Sequence, residues 1–329
     1  MIFHVLLVIF SGFIMFRAAN WLVQGIVKVA QYLRWSEFVV AFFIMAIGGS
    51  LPNLFVGLSS VAHGIPELSF GDVVGNSVIA LTLVAALAVF VGSDLLAEGK
   101  LIQTSAFLTI SIALLPLLLI LDGELGRGDG IALIIIFFGY AAWMFSKRKY
   151  YPQTLDENEK PPLKRFRSFL IGLLQILIGG ALLLVAAEGV VRSASFFAQE
   201  FSLPIAIIGL LGLGFMSALP ELYFAVAAAK KGKSWIILGQ LTGSVIILST
   251  LILGIVAILQ PIVITDFTPF AFARFFLILA ALFFLIFIRT GRRITKKEAL
   301  VLVGIYLAFV AVELFTKILC DPALSFCLK

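Results

Sequence analysis

Apolar stretches of 18 or more residues recur along the whole chain, and no other feature constrains the fold as strongly. Each stretch is long enough to cross a hydrocarbon layer of about 30 Å as a helix. Of the 329 residues, 62% are hydrophobic and only 13% are charged. Because a soluble domain carries roughly twice that share of charge, the chain is predicted to be an all-α polytopic membrane protein.

Nine polar, glycine-containing or proline-containing breaks divide the sequence into ten apolar segments, which predicts ten transmembrane helices. The longest break, residues 147–167, is polar and centrally placed. It is predicted to be a linker between two five-helix halves, residues 1–146 and 168–329. The nine breaks lie at 34–36, 63–67, 92–100, 122–129, 147–167, 199–204, 230–233, 260–269 and 289–297.

Lysine and arginine are distributed unevenly among these breaks. With ten spans, alternate breaks lie on the same side, and the odd-numbered breaks together with Lys28 contain 18 of the 24 Lys and Arg residues. Because short loops rich in Lys and Arg stay in the cytoplasm, the linker is predicted to be cytoplasmic and both termini to lie outside. The predicted location is the cell membrane, either a plasma or an inner membrane. The lipid bilayer is an expected partner and nucleic acid is not.

The two halves contain the same pattern. A shift of 168 residues aligns GGSLPN (48–53) with MSALPE (216–221) without a gap, and it also brings Gly64 onto Gly232. Because each half has five spans, the second half enters the membrane in the opposite orientation, as in the inverted repeats of many secondary transporters. Matched Pro and Gly interruptions in such halves point to a binding site near the membrane midplane. The alternative is that the prolines are packing kinks, which transmembrane helices tolerate.

These stretches resemble the α-repeats of the sodium/calcium exchanger family of cation/calcium antiporters. The first repeat, about residues 36–92, contains GGSLPN and HGIPELSFGDVVGNS, and the second, about 203–259, contains MSALPE and KGKSWIILGQLTGS. The resemblance implies two inverted five-helix repeats and a secondary active cation antiporter with alternating access around a midplane site. The implied substrates are the inorganic cations Ca²⁺, Na⁺, K⁺ or H⁺, with no cofactor. Since there is no P-loop nucleotide-binding motif, an ion gradient is expected to drive transport.

The resemblance also implies the residues of the ion site. The family pattern has a glutamate at position 53 and often acids or amides at positions 80 and 248, whereas this chain has Asn53, Ala80 and Leu248. A divalent hard cation prefers several oxygen ligands with more than one carboxylate among them, so calcium specificity does not follow from the resemblance. The family positions that keep a polar side chain are Ser50, Asn53, Asn76, Ser217, Glu221 and Ser244.

A second carboxylate is available from Asp72. It lies one turn before Asn76, so the two share a helix face, and its counterpart in the second repeat is the neutral Gln240. The alternative is that Asp72 forms a cap or a hydrogen bond near the membrane interface. The metal ligands predicted for Ca²⁺ or Na⁺ are Glu221, Asn53 and Asp72.

The sequence alone leaves other functions open. One alternative is a non-transporting scaffold or sensor that has lost acids at positions 53 and 248, and another is an exchanger of monovalent cations or protons. The retained Glu221 argues against the scaffold, because a carboxylate inside the membrane is costly without a task. An enzyme is not predicted, since neither Ser50 nor Ser217 has a histidine or lysine on a plausible facing segment.

The last ten residues contain both cysteines, Cys320 and Cys327. They follow the tenth predicted helix on the predicted outer side, where oxidising conditions allow disulfides to form. Two hypotheses therefore stand for this tail, a disulfide-closed loop and a pair of reduced thiols.

The predicted orientation can be tested at Thr154, in the middle of the linker. In a background with both native cysteines replaced by serine, Thr154→Cys is expected to resist a membrane-impermeant thiol reagent added to intact cells. The same residue should react once the cells are permeabilised. Labelling from outside intact cells would contradict a cytoplasmic linker.

Overall fold

A computed structural model describes most of the chain and shows a bundle of long helices. In the described part, nine helices are long and apolar enough to cross a membrane. The segment with Pro52 is a further helix of 18 residues, Met45–Ala62, and completes the ten predicted spans. The predicted all-α polytopic architecture is therefore confirmed. The described residues are 1–32, 45–97, 100–146, 162–232, 234–264 and 268–319.

The described part contains fourteen α-helices and four two-residue strands. The helices before the linker are α1 (Ile2–Tyr32), α2 (Met45–Ala62), α3 (Glu67–Ile79), α4 (Ala85–Val91), α5 (Lys100–Ala113), α6 (Leu115–Leu119) and α7 (Arg127–Ser146). Those after it are α8 (Pro162–Glu200), α9 (Ile205–Ile207), α10 (Gly214–Ala229), α11 (Ser234–Ile246), α12 (Leu253–Leu259), α13 (Thr268–Thr290) and α14 (Lys296–Leu319). The strands are β1 (Leu95–Leu96), β2 (Glu124–Leu125), β3 (Ile262–Val263) and β4 (Arg293–Ile294).

Three π-helical segments join consecutive α-helices into longer rods. Ala80–Val84 joins α3 to α4, Ile208–Leu213 joins α9 to α10, and Ile247–Ile252 joins α11 to α12. The first and third of these segments correspond under the 168-residue shift. Because π-helical turns are rare and occur frequently at functional sites, their matched positions mark α3–α4 and α11–α12 as equivalent parts of the two repeats.

The glycines that the shift aligns have a conformational role. Gly64 follows α2 with a φ of 71°, and Gly232 follows α10 with a φ of 64°. A side chain disfavours this left-handed region, whereas glycine enters it freely. A Cβ at either position would meet no atom of the described residues within 4 Å, so the backbone conformation of the turn calls for glycine at both places.

Helices α1 and α8, which are repeat equivalents, pack against each other in antiparallel directions. A Cβ on Gly25 would lie 2.7 Å from the carbonyl oxygen of Gly172, and one on Gly189 would lie 2.3 Å from Oγ of Ser11. Contacts with later residues of α1 thus involve earlier residues of α8. An antiparallel pairing of equivalent helices is the arrangement expected of inverted repeats related by an axis in the membrane plane.

The short strands show the same symmetry. β1 pairs with β4 and β2 pairs with β3, both antiparallel. The first pair joins breaks 92–100 and 289–297, and the second joins breaks 122–129 and 260–269. Each pair therefore connects two breaks that the sequence places on one side of the membrane. These strands were not predicted, because two residues are too short to show an alternating pattern.

Burial separates central from peripheral helices. In Glu67–Val91 and Ser234–Leu259, 83% of the most apolar stretch is buried, against 28% in Ile2–Val29 and 22% in Phe166–Glu200. The rods α3–α4 and α11–α12 therefore form the centre of the bundle. Helices α1 and α8 form an outer layer with apolar faces suited to contact with lipid.

One polar contact ties this outer layer to α2. Glu188 of α8 forms an ion pair with Arg192 of the same helix, with Nε and Oε1 2.6 Å apart. It also accepts a hydrogen bond of 2.9 Å from Oγ of Ser59 and lies 3.2 Å from Nε2 of His63. Glu188 therefore connects α8 to α2.

Helix α3 crosses closely over the π-helical segment Ile208–Leu213 between α9 and α10, and this contact can be tested at Gly75. A Cβ there would lie 2.0 Å from the carbonyl oxygen of Leu210, so Gly75→Ala must separate two backbones. We expect a loss of stability of about 1–3 kcal/mol, typical of overpacking, seen as a lower midpoint of thermal unfolding in detergent. As a control, the Cβ of Gly180→Ala meets no described atom within 4 Å, and this variant should leave the midpoint unchanged or slightly higher. An unaltered midpoint for Gly75→Ala would contradict the close crossing.

Candidate functional site

Four helices each bring two polar side chains, one turn apart, to the centre of the bundle. Spacings of three or four residues place both side chains of a helix on the same face. All eight side chains are buried, with no more than 2% of any residue exposed. We call this group the polar cluster, and it consists of Ser50 and Asn53 from α2, Asp72 and Asn76 from α3, Ser217 and Glu221 from α10, and Gln240 and Ser244 from α11.

Asp72 is the point where three helices of the cluster meet. Its Oδ2 accepts a hydrogen bond of 2.9 Å from Nδ2 of Asn53, and its Oδ1 accepts one of 2.7 Å from Oγ of Ser217. Nδ2 of Asn76 donates to the same Ser217 oxygen at 3.2 Å. Asp72 therefore links α2 and α3 of the first half to α10 of the second.

Glu221 is the centre of the other part of the cluster. Its Oε1 accepts a short hydrogen bond of 2.5 Å from Oγ of Ser244, which lies 3.3 Å from Oγ of Ser50. Nε2 of Gln240 donates to the main-chain carbonyl oxygen of Glu221 at 3.3 Å. A Cβ on Gly49 would lie at an ordinary van der Waals distance of 3.5 Å from Cγ of Glu221, so this part of α2 lies beside the Glu221 side chain.

Three buried oxygens of the polar cluster receive no hydrogen bond from the described part of the protein. They are Oε2 of Glu221, Oδ1 of Asn76 and Oε1 of Gln240. Buried polar groups are normally paired, and leaving one unpaired costs about 1–3 kcal/mol. Because all three atoms are acceptors, a cation would satisfy them and an anion would not.

The two carboxylates of the cluster have no cationic protein partner within the described ranges. The ion pairs found there involve Glu188 and Asp94 instead. An acidic side chain inside the membrane normally pairs with another group or marks an ion pathway. Among the described residues, Asp72 and Glu221 therefore have no basic side chain to balance their charge when ionised, and a bound cation or a proton could do so.

The chemistry of the cluster is limited to oxygen ligands. Among the described residues, no group of three or more His, Cys, Asp or Glu side chains could hold a metal ion. Carboxylate, carbonyl and hydroxyl oxygens are hard ligands that suit alkali and alkaline-earth cations, whereas soft metals prefer sulfur and nitrogen. The arrangement fits reversible binding of a hard cation better than permanent binding of a transition metal.

All seven predicted site residues lie within the polar cluster. The structure places Asp72 inside it, hydrogen-bonded to Asn53 and Ser217, and not at the start of its helix near Glu67. Gln240 is the one member that the sequence analysis did not predict as a site residue. Two signals identify it, since it is the repeat counterpart of Asp72 and lies one turn before Ser244.

The fold and the cluster together define a polytopic membrane protein with two inverted repeats around a buried polar site that contains two carboxyl groups. Residues 3–146 and 171–315 match the profile of the family described as sodium/calcium exchanger protein. The chain belongs to this family. Membership confirms the predicted class, a membrane cation antiporter and not an enzyme.

Individual relatives agree with this assignment. The sodium/calcium exchanger MaX1 of Methanosarcina acetivorans is 25% identical over 338 residues, which cover 90% of this chain and 94% of the relative. A membrane protein of Methanocaldococcus jannaschii is 26% identical over 231 residues, covering 70% and 74%. The solved structure of the sodium-calcium exchanger NCX_Mj soaked with Na⁺ and Sr²⁺ has a TM-score of 0.66 and 23% identity, covering 94% of this chain and 97% of that one. At this identity the likeness to NCX_Mj establishes the shared fold.

Proposed function

We propose that the polar cluster is the transport site of a secondary cation antiporter and that Glu221 is its principal charged ligand or proton carrier. One observation carries the proposal. Glu221 is fully buried, with one carboxylate oxygen bonded to Ser244 and the other without a donor among the described residues. A carboxylate held in this way, with no cationic partner among the described residues, is suited to binding and releasing a cation.

The proposed substrates are inorganic cations, with Na⁺ exchanged against Ca²⁺ as the first hypothesis. The hard oxygen ligands support it, as do relatives that are named sodium/calcium exchangers. An exchanger of monovalent cations or protons, including K⁺, is the second hypothesis, and it is favoured by the amide at position 53. A scaffold or sensor would need neither the unsatisfied oxygens nor the buried charge. Absence of flux for every one of these cations would favour that third function.

We further propose that the transport unit consists of two halves, residues 1–146 and 168–329, with 147–167 as a cytoplasmic linker. The α-repeats, about 36–92 and 203–259, then supply all four helices of the polar cluster. The family match over 3–146 and 171–315 supports this division. The strand pairs support the assignment of breaks to sides, and the distribution of Lys and Arg favours termini on the outer side of a plasma or inner membrane.

Alternating access requires one part of the protein to move relative to another. Helices α1 and α8 are suited to this, because they pack along each other at glycines and lie outside the buried rods. In this proposal the α1–α8 layer slides against the cluster-bearing helices and opens the site first to one side and then to the other. The inverted repeat supplies the two equivalent positions of the layer.

The role of Glu221 is tested by Glu221→Gln, which keeps the shape of the side chain and removes its charge. Reconstituted into proteoliposomes and assayed with Ca²⁺, Na⁺, K⁺ and H⁺ in turn, this variant is expected to lose ion flux while remaining folded. Glu200→Gln, at the exposed end of α8, is the matched control and should transport like the wild type. Unchanged flux for Glu221→Gln would refute the assignment.

Selectivity is tested by Asn53→Glu, which adds a third carboxylate to the polar cluster. A divalent ion gains more than a monovalent ion from the added charge, so Ca²⁺ is expected to bind about tenfold more tightly. Binding is read as the Ca²⁺ concentration that stabilises the protein in a thermal-shift titration, since a ligand of the native state raises its stability. Asn53→Gln keeps the amide and is the control. If Ca²⁺ binds no better to Asn53→Glu, the residue at position 53 does not set selectivity.

A further inference from the structure

The two repeats contain one acid and one amide at the same pair of positions, but in opposite order. In the second repeat the acid is Glu221 on α10 and the amide is Gln240 on α11. In the first repeat the amide is Asn53 on α2 and the acid is Asp72 on α3. The 168-residue shift brings Asn53 onto Glu221 and Asp72 onto Gln240. Each repeat thus contributes one carboxylate and one carboxamide, but the helix that carries the carboxylate in one repeat carries the carboxamide in the other.

In both repeats the acid and the amide are in contact across the equivalent helix pair. Nδ2 of Asn53 donates directly to the carboxylate of Asp72 at 2.9 Å. Nε2 of Gln240 donates to the main-chain oxygen of Glu221 at 3.3 Å. Because Asn53 and Asp72 are in contact, placing the acid at position 72 and the amide at position 53 shifts the carboxylate by only one side-chain contact relative to the order in the second repeat. The carboxylate stays inside the polar cluster in either order.

We propose that Asp72 supplies in the first repeat the charge that Glu221 supplies in the second, and that Asn53 is its positioning residue. The carboxylate faces the shared centre, since Ser217 of the second half donates to it at 2.7 Å. Each of its oxygens accepts one hydrogen bond in this arrangement. A carboxylate has about four lone-pair sites, so both oxygens can still interact with a cation.

This inference rests on the proposed function and fixes the charge of the site. With Asp72 and Glu221 ionised, the polar cluster carries two negative charges, which one divalent cation or two monovalent cations balance. The exchanged acid also makes the site asymmetric, because the two carboxylates lie at positions that the repeat does not relate. The competing explanation is that Asp72 only accepts hydrogen bonds from Asn53 and Ser217 and contributes no charge to ion binding.

The test places the acid at position 53 and the amide at position 72, which is the order found in the second repeat. Asp72→Asn is expected to lower flux of Ca²⁺ and Na⁺ in proteoliposomes at least tenfold. Asp72→Asn combined with Asn53→Glu restores one acid and one amide in contact, in the order found in the second repeat, and should recover flux to within about threefold of the wild type. Asp72→Asn combined with Asn53→Gln is the matched control. It keeps an amide–amide hydrogen bond without charge and should remain as inactive as Asp72→Asn alone.

The outcomes separate this inference from the proposed function. Wild-type flux in Asp72→Asn, no recovery in the charged exchange variant, or equal recovery in the uncharged one would each overturn the role of Asp72. If Glu221→Gln loses flux alongside any of these results, the polar cluster would still be supported as the transport site. Full flux in Glu221→Gln would remove the proposed function itself. If the charged exchange variant does not fold, Asn53→Asp with Asp72→Asn repeats the test with an acid of the original length, and thermal-shift titration with Ca²⁺ gives a readout independent of flux.

Discussion

The burial of two carboxylates at the centre of an apolar bundle is the constraint on which the rest of the structure depends. Neither Asp72 nor Glu221 is exposed, and in hydrocarbon such groups must be satisfied by protein or by a bound ion. Hydrogen bonds from Asn53, Ser217 and Ser244 satisfy them in part. These donors come from three helices, so the bundle must hold its helices close enough for short side chains to meet. Close helix packing is thus a condition of the site and not only of stability.

Small residues and irregular helices provide that packing. Gly75 brings the backbone of α3 against the carbonyl of Leu210, and Asn76, the next residue, then reaches Ser217 of the second half. Pro52 lies within α2 and directly precedes Asn53, and Pro220 lies within α10 and directly precedes Glu221. A proline removes one helical hydrogen bond and bends the rod. The interruptions that the sequence shows as anomalies in apolar runs are therefore the elements that shape the cluster.

Much of the fold could be predicted because the membrane limits the options to helices of known length. The pairs Pro52/Pro220 and Gly64/Gly232 repeat at a fixed spacing, and Gly64 and Gly232 share a left-handed turn that demands glycine. Helical periodicity also placed Asp72 and Asn76 on one face. Periodicity could not show that Asp72 meets Ser217, because that contact joins two halves far apart in the chain. Gln240 carries no charge, and only its position as the repeat counterpart of Asp72, one turn before Ser244, could have identified it as a member of the cluster. The cysteines of the tail and most of the linker lie outside the described residues, and their predictions stay untested.

Side chains break the symmetry that the backbone repeat establishes. In the proposed sliding mechanism, perfectly equivalent halves would give the two positions of the α1–α8 layer equal energy, since each position is the image of the other. In this chain Glu188 ties α8 to α2 through Ser59 and His63, whereas its counterpart Asn20 donates to Phe16 within α1. A contact present in one state and replaced by a different one in the other shifts the population between them by the difference in their free energies. In the proposed sliding mechanism, unmatched side chains of this kind set the balance between the two states, because the inverted backbone alone favours neither.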